Sequence, residues 1–436
     1  VLGTGAGTLT KVGGGTWVLA GTNTYTGGTT INAGILSLGK SNALANAGAM
    51  LIDGSTAVLA MGSYTDTVGA LSIGVNGGTI SNTTGILTAS SYTFNNTLGN
   101  AATVSAILAG SGIALTQAGS GTTTLSGLNT YSGLTSINAG TLIVANNAPS
   151  GSAGALGNAT SAVLLGNTSG NNSAALLTGG AYTVARPIIV QSGNSGNISI
   201  GSNTASISSF TGAITLNKNA TFTAVSGSTL SFTGGVTGAG DLVINNASAN
   251  AMTLSSGSVN NSGKLTNSGS GAGRAVISAV IGTNVSGLIQ DSATSALLLS
   301  NNNLYVGDTT ITSGVVLLGA ATVGSAPNAI TSSAIGRGNL VMNGGIISSD
   351  GGSAYSIYNA MLFTAHGTFG NGVNAGALTF SNTVDLGLSA NRNVTINATT
   401  QISGIVSGVG SSLTKLGAGT LTLSGENTYT GATTIV

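Results

Sequence analysis

The chain has no cysteine, one histidine and three prolines in 436 residues, and only 4% of those residues are charged. An ordinary soluble domain carries about 25%. Each shortage removes a class of function. Without cysteine there is no disulfide scaffold, no thiolate-held zinc and no thiol nucleophile. Nine Lys and Arg, scattered and nearly balanced by eight Asp and Glu, are too few and too dispersed to neutralise a nucleic-acid backbone. The most apolar stretches, such as Ala275–Ile281 and Val315–Ala321, fall well short of the roughly 18 residues that a membrane-spanning helix needs. A disordered chain is excluded as well, because 41% of the residues are hydrophobic. The net charge of +1 leaves little self-repulsion, which favours association of copies. The sequence starts at Val1 with neither Met nor a signal segment, which reads as a processed or excised piece.

What is present is glycine, 72 residues of it, and a repeat. Residues 9–31 read LTKVGGGTWVLAGTNTYTGGTTI and residues 413–435 read LTKLGAGTLTLSGENTYTGATTI, identical at 16 of 23 positions. Residues 115–137 (LTQAGSGTTTLSGLNTYSGLTSI) follow the same grammar, and residues 289–311 (IQDSATSALLLSNNNLYVGDTTI) follow it loosely. Each copy holds an alternating run, as in Thr420-Leu421-Thr422-Leu423-Ser424. Period-two alternation is the pattern of a strand. A Gly-x-Asn-x-Tyr segment follows, predicted to be a turn because Gly and Asn tolerate positive φ. A second short strand such as Thr433-Thr434-Ile435 closes the copy, and in the first three a glycine then leads into another apolar run.

The same texture fills the intervals. Ile198-Ser199-Ile200, Ile214-Thr215-Leu216, Leu230-Ser231-Phe232, Leu242-Val243-Ile244 and Val394-Thr395-Ile396 read as short strands punctuated by Gly, Ser and Asn. No stretch has helical periodicity, and no shift of composition marks a boundary. Separate sandwich domains would each need their own core. A propeller would need evenly spaced blades, but Tyr25, Tyr131, Tyr305 and Tyr429 are 106, 174 and 124 residues apart. A solenoid tolerates uneven spacing. The expectation is therefore an all-β, parallel β-solenoid of roughly 18 to 21 coils that runs as one continuous body over 1–436.

The run from Gly417 to Ile435, GAGTLTLSGENTYTGATTI, resembles the autotransporter-associated β-strand repeat of bacterial passenger domains. Ser41-Asn42-Ala43-Leu44 and Ser333-Ala334-Ile335-Gly336 are similar to the continuation of that repeat. The resemblance implies a right-handed parallel β-helix, export to the surface of a Gram-negative-type bacterium, and a role in adhesion or surface structure. Such proteins also carry a C-terminal membrane barrel, and no series of barrel strands ends this sequence.

Candidate chemistry is thin. Gly34-Ile35-Leu36-Ser37-Leu38-Gly39-Lys40-Ser41 matches the phosphate-loop spacing, but its middle reads as a strand and no helix pattern follows. The acids Asp53, Asp66, Asp241, Asp291, Asp308, Asp350, Asp385 and Glu426 are never closer than 13 residues. Stacked coils could bring some together, Asp350 and Asp385 for example, as a carbohydrate-active enzyme would require. His366 is the lone histidine, and Gly238-Ala239-Gly240-Asp241 only hints at a calcium repeat. Sequons at Asn82, Asn158 and Asn197 are expected by chance in so Asn-rich a chain. Thr122-Thr123-Thr124 could order water on a strand face, or be plain β-formers. No catalytic, metal or cofactor residue is assigned.

The expectation is a non-enzymatic extracellular structural solenoid that contributes to a fibre, sheath or matrix by end-to-end stacking, with the edges at Val1-Leu2 and Thr433–Val436 pairing with further strands. Its partners are then itself or neighbouring repeats. The alternative is an adhesin that binds a surface glycan or protein, with Tyr355, Tyr358, Phe363 and Phe369 as the densest aromatic cluster; the remote alternative is a carbohydrate-active enzyme. No nucleic acid and no membrane span in this segment are expected.

Overall fold

The computed structural model describes residues 2, 3, 5–82, 84–325, 329–372 and 375–436; Val1, named above as an edge residue, lies outside them. Among the described residues the regular elements are strands, with no helix. They stack as a parallel β-solenoid of about 19 turns. The chain divides into two compact units, Val1–Ala220 and Thr221–Val436.

In the first unit one sheet stacks Leu9–Lys11, Thr29–Ile31, Met50–Ile52, Ala70–Ile73, Ser91–Phe94, Leu115–Gln117 and Thr135–Ile137, each parallel to the next. A second sheet stacks Thr16–Leu19, Gly34–Leu38, Ala57–Ala60, Gly78–Ser81, Ala101–Val104, Thr122–Leu125 and Gly140–Val144 in the same way. The three-residue strands of the first sheet, such as Thr29–Ile31 and Met50–Ile52, present their first and last side chains inward and the middle one outward. Register therefore places like over like. Ile31, Ile52, Ile73 and Phe94 lie one above another and are fully buried, while Thr30, Leu51, Ser72 and Thr93 form the outer row.

The second unit repeats the scheme with stacks running through Thr229–Phe232, Met252–Leu254, Ala275–Ile277 and Leu297–Leu299, and through Leu242–Asn246, Lys264–Asn267, Gly287–Asp291 and Thr309–Ser313. Val323–Ser325 and Ala329–Ser332 pair antiparallel with each other, apart from the parallel stacks. The short strands expected from Ile198, Ile214, Leu230, Leu242 and Val394 onward are all present.

Glycine is required at one corner for two reasons at once. Gly34, Gly140 and Gly314 stand at the same place in the first three repeat copies, with φ of 69°, 66° and 66°. A Cβ at Gly140 would lie 2.3 Å from Gly121 O, and one at Gly34 2.3 Å from Gly13 O. Both the left-handed backbone and the approach of the neighbouring coil exclude a side chain. The Gly-x-Asn-x-Tyr turn is formed, but not as predicted. Gly127 and Gly425 are absent from the left-handed region. They are glycine because a Cβ would meet Ala106 O or Gly404 O at 2.3 and 2.2 Å. Replacing Gly140 by Ala should lower the unfolding free energy by about 1–3 kcal/mol, measured by denaturant titration; a loss under ~0.5 kcal/mol would contradict this account of the corner.

Candidate functional site

The chemistry-bearing residues of the repeat converge on the joints between coils. In each copy the Tyr hydroxyl meets the Thr that opens the next strand: Tyr25–Thr29 at 2.8 Å, Tyr131–Thr135 at 3.0 Å, Tyr305–Thr309 at 2.6 Å and Tyr429–Thr433 at 2.5 Å. The first three pairs are buried, and Tyr429 is half-buried. Burial pushes the hydroxyl pKa of Tyr25, Tyr131 and Tyr305 upward, and the hydrogen bond to Thr only partly opposes this. Tyr92, whose ring lies tilted against Tyr131 at 6.0 Å centroid distance, is pushed up to about 12 by the same burial.

The asparagine two residues before that Tyr is a strut. Asn129 Oδ1 accepts from Leu108 N in the preceding coil at 2.9 Å, and its Nδ2 donates to Ala155 O in the following one at 2.8 Å. Asn303 does the same between Ile281 N and Ala334 O, and Asn23 between Leu2 N and Ala43 O. The receiving alanines belong to the Ser41–Leu44 and Ser333–Gly336 continuations and to their counterpart at Gly154-Ala155-Leu156. Asn427 accepts from Val406 N at 2.9 Å.

A third device closes the corner after the first strand. Lys11 is 5% exposed, and its Nζ donates to Val12 O, Gly13 O and Ala33 O. Gln117 and Lys415 occupy the same repeat position, and Gln290, one residue earlier in its copy, pairs with Ile311 as Lys11 pairs with Ile31; they reach Gly119 O, Gly417 O and Ser292 O. Parity signals this role: Lys11 and Gln117 stand in the inward column that Ile31 and Ile52 define. Arg186 is a buried cation that the sequence reading did not single out. Its guanidinium donates only to oxygens of Leu156 and Ser161, and burial lowers its pKa.

The candidate catalytic groups are not assembled. Asp53, Asp241 and Asp308 each accept a backbone N–H one coil on, from Asn76, Lys264 and Asn339 at 2.7–2.9 Å. Asp66 is buried and accepts from Ala43, Leu44 and Thr67 N–H; burial raises its pKa against those bonds. Asp350 pairs with Arg274 at 3.0 Å, whereas Asp385 accepts from Gly387 N in a different stack, so the structure does not join them. His366 Nδ1 accepts from Asn393 N. Among the described residues no three His, Asp or Glu could hold a metal. Gly34–Leu38 of the phosphate-loop look-alike is a strand, and Lys40 donates to Thr22 Oγ1. Thr79, Thr103 and Thr124 align over three coils before Ile143 ends the row.

The aromatic cluster offered as an adhesive surface is corrected. Phe363 and Phe369 are fully buried and continue into the core through Phe380, 4.9 Å from Phe369. Only Tyr355 and Tyr358 reach the surface, each half-buried. The reason is again parity, since Met361–Phe363 and Gly367–Phe369 turn their ends inward.

A family model, the passenger-associated transport repeat, matches residues 9–38, 115–144, 294–318 and 413–436. The chain is also 30% identical over 167 residues to a protein named adhesin BmaC autotransporter, from Brucella suis biovar 1 (strain 1330). That stretch is 38% of this chain and 4% of the relative. No solved structure matches.

Two outcomes follow from the joints. Asn129→Leu should orphan Leu108 N–H and Ala155 C=O, at about 1–3 kcal/mol each, and hydrogen exchange at Leu108 should accelerate markedly while distant coils stay protected; unchanged exchange would refute the strut. The raised tyrosine values give a contribution that is intact below pH ~10, the ordinary tyrosine value. It is lost as pH climbs through about 12, the value for Tyr92. Thermal midpoints should therefore be level from pH 6 to 9 and drop above 10, and a steady alkaline midpoint would contradict this.

Proposed function

The chain being an autotransporter passenger β-helix protein, displayed on the bacterial cell surface, we propose that it serves there as a non-enzymatic structural solenoid onto which further coils of the same grammar stack. The observation that carries this reading is where the polar groups are used. The repeat's Asn, Tyr, Thr, Lys and Gln, and the surface acids Asp53, Asp241 and Asp308, all bond the backbone or side chains of their own or adjacent coils. Such a surface has little left to offer a reaction and much to offer the next coil. Strand Thr433–Ile435 continues the parallel ladder on Ser412–Leu416 in the pattern of the coils before it. Open parallel edges accept further strands, and a head-to-tail contact repeats without closing.

The experiment is sedimentation and electron microscopy of the purified chain beside Ile435→Pro: Ala432 and Val436 bond Leu413 and Lys415 of the preceding strand, so by alternation the N–H of Ile435 faces the other side, and proline removes that ladder donor. Concentration-dependent end-to-end assembly that the proline variant abolishes is expected. A chain that stays monomeric at high concentration, or assembles equally well with the proline, overturns stacking between copies. The second reading, adhesion, is favoured by the likeness to a protein named an adhesin, and it concerns a lateral surface rather than an edge.

A further inference from the structure

Successive coils of the first unit turn the same corner, from the first sheet into the second, with loops of unequal length. Between Ser91–Phe94 and Ala101–Val104 the loop is 95–100. The next two are 118–121 and 138–139. The following two are 166–173 and 191–197. The two-residue corner at 138–139 is thus recessed between longer ones on either side. The result is a lateral notch of about 420 Å³, floored by Gly140 and Thr141. Gly140 is the repeat glycine, where a Cβ would meet the backbone of Gly119, Ser120 and Gly121 in the preceding coil.

The walls are uncharged. Leu98 stands 85% exposed on one side, and Asn172 and Asn197 are exposed on the other. Ser120 Oγ accepts from Leu98 N at 3.1 Å and Ser173 Oγ from Asn197 N at 3.0 Å. Each serine uses a lone pair inward, which leaves its hydroxyl proton for another acceptor. The notch therefore lines up hydroxyls and amides, which both give and take hydrogen bonds, beside apolar surface from Leu98, Ala174 and Ala175.

We propose that this notch binds a neutral oligosaccharide. A sugar carries hydroxyls that donate and accept, matching Ser120, Ser173, Asn172 and Asn197, and a C–H face that matches Leu98. An anionic ligand would find no cation among the lining residues. An apolar peptide would leave the amides and hydroxyls unpaired, at a cost. Pockets combine apolar contact with a few placed polar groups in this way. The proposal rests on the adhesive reading and gives it a location and a ligand class.

The test uses the full chain on immobilised neutral tri- to penta-saccharides, beside sialylated and sulfated counterparts. The variants are Leu98→Asp and the double Asn172→Ala/Asn197→Ala, with Asp350→Ala as a distant control. Every substituted position is at least partly exposed, and matching thermal midpoints confirm the fold. Retention of one or more neutral saccharides, weakened about tenfold or more by the notch variants and unchanged in the control, is expected. Retention that the notch variants leave intact overturns the notch while keeping adhesion. Retention of acidic saccharides alone overturns the ligand class. No retention of any saccharide at millimolar concentration overturns the proposal, and adhesion itself then stands or falls on binding of the same chain to cultured cells.

Discussion

Everything in this molecule answers to one demand: the backbone N–H and C=O of each coil find their partners in the coils before and after it. A parallel stack of three- to five-residue strands satisfies that demand only if each coil returns to the same register. Inward columns such as Ile31–Ile52–Ile73–Phe94 set the register through burial. The corners have no ladder of their own, and there the polar side chains of the repeat take over. Asn129 and Asn303 span three coils each, and Lys11 and Gln117 close carbonyl-rich turns from inside.

This division of labour accounts for the sparse charge. A buried cation without a counter-ion needs several acceptors, and corners full of glycine supply them. Lys11 and Arg186 are both held by oxygens other than carboxylates. Asp53, Asp66, Asp241 and Asp308 do the converse, accepting N–H groups of the adjacent coil. The ion pair Arg274–Asp350 is largely exposed. Such pairs contribute little, so cohesion resides in the ladder and the aliphatic columns.

The fold was legible because its signal is local and repeated. Alternation in Thr122–Leu125 or Thr433–Ile435 states strand, and unequal spacing of the four tyrosines states solenoid. The joints were less legible. Gly127 and Gly425 read as left-handed turn residues, but what makes them glycine is a neighbouring carbonyl some 20 residues away in sequence. Phe363 and Phe369 read as a surface cluster, although their place at the ends of three-residue strands turns them inward. The lateral notch left no motif at all. It arises from the difference between loop lengths in successive coils, and its residues Leu98, Thr141 and Asn172 come from separate turns.

The ladder bonds run from coil to coil, along the direction of stacking. A tensile load in that direction meets the bonds one coil at a time, in opening rather than in shear. Ile31, Ile52 and Ile73 recur every 21 residues. Each coil that gives way therefore releases a length of slack chain of roughly 70 Å, while its neighbours keep their own ladders. A surface protein so constructed would yield in steps and absorb work at each, as a fuse with many links does, and Asn129 and Asn303, which reach across three coils, would be the places where a single step has to break two joints together.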